Sequence, residues 1–126
     1  MSNKRIFISG KIGTYKVSKI SEETIKKFQN AETELNSMFP DCHLYNPVEC
    51  TLHLGCNEVL FEGERHYFEN LSEEQKERYI KNHNIRMLTE STSIYLLTDW
   101  RSSAGANFEK EVADFLGLEI IYQKEK

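Results

Sequence analysis

The sequence predicts an α/β fold, a three-layer αβα sandwich around a mainly parallel sheet of four to five strands. Two observations carry this. The runs Lys4-Arg-Ile-Phe-Ile-Ser9, Ser93-Ile-Tyr-Leu-Leu97 and Leu118-Glu-Ile-Ile-Tyr122 are short, apolar and rich in β-branched or aromatic residues, as buried strands are. Between them lie segments of helical periodicity, giving the order β-α-β-(insert)-α-β-α-β, which a parallel sheet with helices on both faces accommodates.

The first strand ends at Gly10, and Ser9-Gly10-Lys11-Ile12-Gly13 leaves its carboxyl end, where sheets of this class bind ligands. From Ser21 to about Met38, Ile25, Phe28, Ala31, Leu35 and Met38 recur at helical spacing, with Glu22 and Glu23 suited to the positive end and Pro40 marking the stop. Cys42-His-Leu-Tyr45 reads as a second strand stopped by Asn46-Pro47. Residues 48–71 show no sustained period and read as an insert or lid with at most one short helix.

Ser72-Glu-Glu-Gln75 is a capping box, so a helix starts there and runs towards Glu90, with Tyr79, Ile80, His83, Met87 and Leu88 on or beside its inner face. Ser93 to Leu97 is the clearest strand. A last helix runs from Ser103 to Gly117, a residue suited to a left-handed cap, before the final strand. The whole describes one domain, residues 1–126, with a Rossmann/flavodoxin-like sheet.

The size agrees: 126 residues suffice for one core. Twenty acidic against sixteen basic side chains give a formal charge of -4, with the lysines scattered, which argues against duplex nucleic acid or an anionic membrane as partner. The amino terminus has too short an apolar run for a signal peptide or a membrane span, and a cytoplasmic protein with its three cysteines, Cys42, Cys50 and Cys56, reduced is expected.

A parallel sheet gathers Ser9-Gly10-Lys11, Asn46-Pro47, Asp99-Trp100 and Ser102-Ser103 at one rim. Gly10, Gly13 and Gly105 permit close backbone approach, and Ser103 with the first amides of the last helix suits a hydroxyl or phosphate; the plainer reading is a set of ordinary turns. Within the last helix, Gly105, Glu109, Val112, Ala113 and Leu116 share one face, so Glu109 places a carboxylate in a small, apolar stripe. One turn in from the positive helix end it is expected to stay ionised and to serve as nucleophile or base; the alternative is a Glu turned sideways to Lys110 or Arg101. His83 is expected at the same rim, orienting Glu109 or assisting a leaving group, or else is a half-buried helical His. Cys50, His53 and Cys56 lack the second ligand pair a zinc site needs, so no metal is expected. His43, His66, Tyr67 and Phe68 carry no signal beyond a lid surface or subunit contact.

The chain resembles the nucleoside 2-deoxyribosyltransferase-like superfamily, in particular a small bacterial and phage subfamily of it labelled as a domain of unknown function. The resemblance spans nearly the whole chain. It rests on Ile6-Phe-Ile-Ser-Gly10 with Ile12, Phe28-Gln-Asn-Ala31-Glu32-x-x-Leu35, Asn46-Pro47, Tyr79-Ile80, Ile94-Tyr-Leu-Leu97 with Trp100, and Ser103-x-Gly105-Ala106-x-x-Glu109-x-x-x-Ala113 before Leu116-Gly-Leu118.

The resemblance implies cleavage of the N-glycosidic bond of a nucleoside or nucleotide, with transfer to another base or to water and no cofactor, through Glu109 as nucleophile. Ser9, Gly10, Ile12, Asn46, Ser103 and Gly105 would then bind the substrate, Asp99 would meet a ribose hydroxyl or the base, and Tyr15, Tyr79 and Trp100 would line the base pocket. A homo-oligomer, dimer or higher, is also implied. Family members commonly carry an Asp in the middle helix that assists the departing base; here His83 or Asn82 stands in its place. That departure keeps a second reading open, a non-catalytic module that binds or senses nucleotides.

Overall fold

Strand parity organises the molecule. In a computed structural model that describes residues 4–13, 20–52 and 70–124, β1 (Arg5–Ser9) pairs in parallel with β2 (His43–Tyr45) on one side and β3 (Ser93–Leu96) on the other, and β4 (Glu119–Tyr122) extends β3. Among the described residues the sheet is four-stranded and all parallel, in the order β2-β1-β3-β4. Alternate side chains leave opposite faces. Ile6, Ile8, Tyr95 and Leu97 meet α1 (Glu22–Met38) through Phe28, Ala31 and Leu35. Phe7, Ile94 and Leu96 face the other way and meet α3 (Glu73–Thr89) and α4 (Ala104–Leu116) through Leu88 and Ala113. These two cores, one on each face, make the expected three layers.

The ends of the helices are set by the residues that predicted them. Ser21 accepts a hydrogen bond from the Thr24 amide ahead of α1. Ser72 and Gln75 form both halves of the capping box at α3. Ser103 caps α4, and Gly117 closes it in the left-handed region at φ 75°, where a side chain would be strained.

The expected insert begins differently. Pro47–Leu52 forms a short helix, α2, and Val48 is fully buried against the α1-side core. Asn46 explains it: its Oδ1 accepts from the Val48 and Glu49 amides, and its Nδ2 donates to Glu32 Oε1 at 3.0 Å. The insert expected from residue 48 therefore starts as part of the core, and its remainder lies mostly outside the described residues. Among the described residues, no helix is long and apolar enough to cross a membrane.

Candidate active site

The reversal of strand order falls between β1, whose crossover runs to β2, and β3, whose crossover runs to β4. Loops leave the carboxyl ends of these two strands side by side and diverge, opening a crevice. A cavity of about 600 Å³ lies there. Gly10 to Gly13 after β1 form one wall, Ser102 to Ala106 and Glu109 a second, and Glu73, Glu74, Glu77 and Asn84 of α3 a third.

Each wall has a local cause. Gly10 sits hard against the core: a Cβ there would lie 2.7 Å from Leu97 Cδ1 and 2.9 Å from Leu97 Cβ, and Leu97 is fully buried. Beyond it the loop is clamped. Asp99 Oδ1 accepts from the Lys11 amide at 3.1 Å, while Lys27 Nζ reaches both Asp99 Oδ2 and the Lys11 carbonyl at 2.6 Å. The second wall is tied down by Asn107, whose Nδ2 donates to the Ser103 and Arg101 carbonyls at 2.8 and 3.1 Å. Ser103 lines the cavity and accepts from the Ala106 amide.

Glu109 follows from the same parity. Ser9, the last residue of β1, projects from the face that packs on α4, and its hydroxyl donates to Glu109 Oε1 at 2.7 Å. The alternative of a sideways ion pair is not realised, since Lys110 instead pairs with Asp114 at 2.9 Å. Position one turn into α4 predicts an ionised carboxylate, but burial outweighs the helix end and pushes Glu109 from an ordinary 4.5 up to about 7, with the Ser9 hydroxyl pulling the other way. The carboxyl therefore titrates near neutrality. The stripe around it is as expected except at its far end, where Leu116 is exposed.

Of the residues singled out in the sequence, the structure brings Gly10, Ile12, Ser103, Gly105 and Glu109 to the cavity and seats Ser9 against Glu109. Others serve elsewhere. Asp99 holds the loop clamp through both carboxylate oxygens. Asn46 caps α2. Trp100 packs on the α4-side core beside Tyr122, with Arg101 and Lys110 over its ring, because the short 3-10 turn Trp100–Ser102 carries it away from the crevice. Tyr79 is half-buried on α3 and is not among the lining residues. Tyr15 lies outside the described residues, as do His53, Cys56, His66, Tyr67, Phe68 and the side chain of Cys50. Among the described residues, no group of His, Cys, Asp and Glu is arranged to hold a metal ion.

His83 takes the plainer of its two expected places, half-buried on α3 and not among the cavity-lining residues. Its ring sits 6.1 Å from that of Tyr45, and the next residue, Asn84, is the one that lines the cavity. One helical step of 100° separates them, enough to turn the first out of the site and the second into it. Asn84 carried the same signal as Glu109: it interrupts the buried stripe Ile80, Asn84, Leu88 at four-residue spacing. Lys27 and Asn107 carried no comparable signal, since each acts through a loop whose path periodicity does not reveal.

No curated protein and no solved structure matches the chain. A family model described as "Domain of unknown function (DUF4406)" matches residues 4–122, from the approach to β1 to the end of β4, and the chain belongs to that family.

Proposed function

We propose that the protein cleaves the N-glycosidic bond of a nucleoside or nucleotide, with Glu109 as the nucleophile. The observation that carries this reading is a recessed carboxylate, held by Ser9 through one oxygen, in a cavity at the crevice between β1 and β3. With Oε1 engaged, Oε2 is the oxygen left for the anomeric carbon. Attack forms a glycosyl ester and breaks the bond to the base, which departs with the electron pair and takes a proton from solvent; water or a second base then breaks the ester. Ser103, Gly105 and Lys11 at the mouth suit the sugar or its 5′ substituent, and a homo-oligomer in the cytoplasm is the proposed setting.

A second reading, a binding or sensing module, is favoured by one observation: the buried α3 residue at the cavity is Asn84, whose amide has no proton to give a departing base. The two separate on one measurement. Incubated with a panel of nucleosides and 5′-monophosphates and followed by chromatography, the wild-type protein releases free base, and Glu109→Gln, an isostere that keeps the fold, lowers release by at least about a thousandfold, the scale on which loss of a nucleophile acts. Binding without any release supports the module. Release by Glu109→Gln at the wild-type rate removes Glu109 from its role.

A further inference from the structure

We infer that Asn84 is the residue that reads the ligand, donating through its amide nitrogen to a carbonyl oxygen or an unprotonated ring nitrogen on an uncharged edge turned towards α3. The inference rests on the nucleoside reading above and adds to it an orientation and a specificity residue.

Asn84 is only 3% exposed, yet it lines the cavity. Its Oδ1 accepts the Tyr45 hydroxyl at 2.9 Å, and that tyrosine is stacked on Phe7 with ring centroids 5.2 Å apart. The amide is thereby fixed with its oxygen towards β2. Tyr45 is its hydrogen-bond partner, and among the described residues no fully buried side-chain nitrogen or oxygen lacks one. The Nδ2 group therefore reaches the cavity, the place where this side chain meets open space. A nearly buried donor with no protein partner is satisfied only by what enters, water or ligand, and it rejects a ligand that presents no acceptor there.

The surroundings say which end of the ligand this is. Glu73, Glu74 and Glu77 share the α3 wall, each answered only at the surface by Lys76, Arg78 and Lys81. Carboxylates and a neutral amide together accept amino groups and donate to carbonyl or ring nitrogen acceptors, the functions on the edge of a nucleobase, and they repel an anion. A phosphate, where the ligand has one, belongs at the other walls, with Lys11 and the first turn of α4.

The test is calorimetric binding of adenosine, guanosine, cytidine, uridine and their 5′-monophosphates to the wild-type protein and to Asn84→Ala, Asn84→Asp and Tyr45→Phe, each checked for its fold by circular dichroism. For whichever probes bind the wild type, Asn84→Ala weakens binding about tenfold or more, and Tyr45→Phe, which frees the amide to turn, weakens it by less. Asn84→Asp loses binding at pH 8 and regains part of it as the pH falls and the new carboxyl acquires a proton to donate, a recovery that a purely structural role does not produce. If Asn84→Ala unfolds, Tyr45→Phe and the pH response of Asn84→Asp decide. Equal binding by the wild type and by folded variants overturns the role of Asn84 and leaves the proposed function standing. Failure of every probe to bind the wild type overturns both.

Discussion

At the scale of single residues, two side chains interrupt apolar helical stripes, and both face one cavity. Glu109 titrates at about 7 because burial disfavours its charge more than the Ser9 hydroxyl favours it. A nucleophile must be ionised, so base release, corrected for the uncatalysed reaction, is expected to climb about tenfold per pH unit below 7 and to level off above 8. A rate flat from pH 5 to 8 would show that another group performs the chemistry. Glu109 was legible because a carboxylate on a small, apolar face has few explanations. Asn84 bore the same mark less loudly, since an Asn in a helix draws little notice, and His83 beside it drew the chemistry instead. A one-residue error on a helix is a 100° error in direction, which a pattern read without the neighbouring sheet does not resolve.

At the scale of elements, what matters is how two loops are held at the crevice. Lys27 from α1 and Asp99 from the loop after β3 both grip the backbone at Lys11, so the wall formed by Gly10 to Gly13 is fixed from two directions. Both side chains are about one-third exposed, and the ion pair itself adds little, on the order of 1 kcal/mol or less, to global stability. Its effect is local. Lys27→Met and Asp99→Asn are expected to leave the thermal midpoint within a few degrees of wild type while raising the KM or Kd for the nucleoside probe severalfold; a large fall in midpoint with unchanged binding would recast the pair as a stability device. The four strands and the three long helices were legible almost to the residue, because caps, periodicity and apolar runs are local signals, whereas the short α2 lay inside the expected insert. The clamp was not, because it joins three segments across 88 positions of chain by side chains of ordinary type.

At the scale of the whole molecule, the raised Glu109 links folding to pH. In the unfolded chain this carboxyl returns to about 4.5, so the folded state holds its proton more tightly between 4.5 and about 7. Stability from this source is fully present below 4.5 and is lost as the pH rises through 7, the loss being on the order of 3 kcal/mol at most. Glu119, held below the usual carboxylate range by Lys4 and Ser93, contributes oppositely: its share is present above the ordinary value and fades in acid. Thermal unfolding from pH 5 to 8 should therefore show the wild type softening across the range and Glu109→Gln holding steady, ending more stable than the wild type at pH 8. Equal slopes would mean that the carboxyl is solvated in the folded protein.

The hydrogen bond between Ser9 and Glu109 spans 100 positions of sequence, from the first strand to the last helix. No local segment contains the site, which joins β1 to α4 across the β1–β3 pair. During synthesis the Ser9–Glu109 pair cannot form until α4 has left the ribosome and docked. Under the proposed function, acquisition of nucleoside binding during refolding is expected to lag behind formation of the β1–β3 pair and to coincide with docking of α4, as stopped-flow binding against far-UV circular dichroism would read.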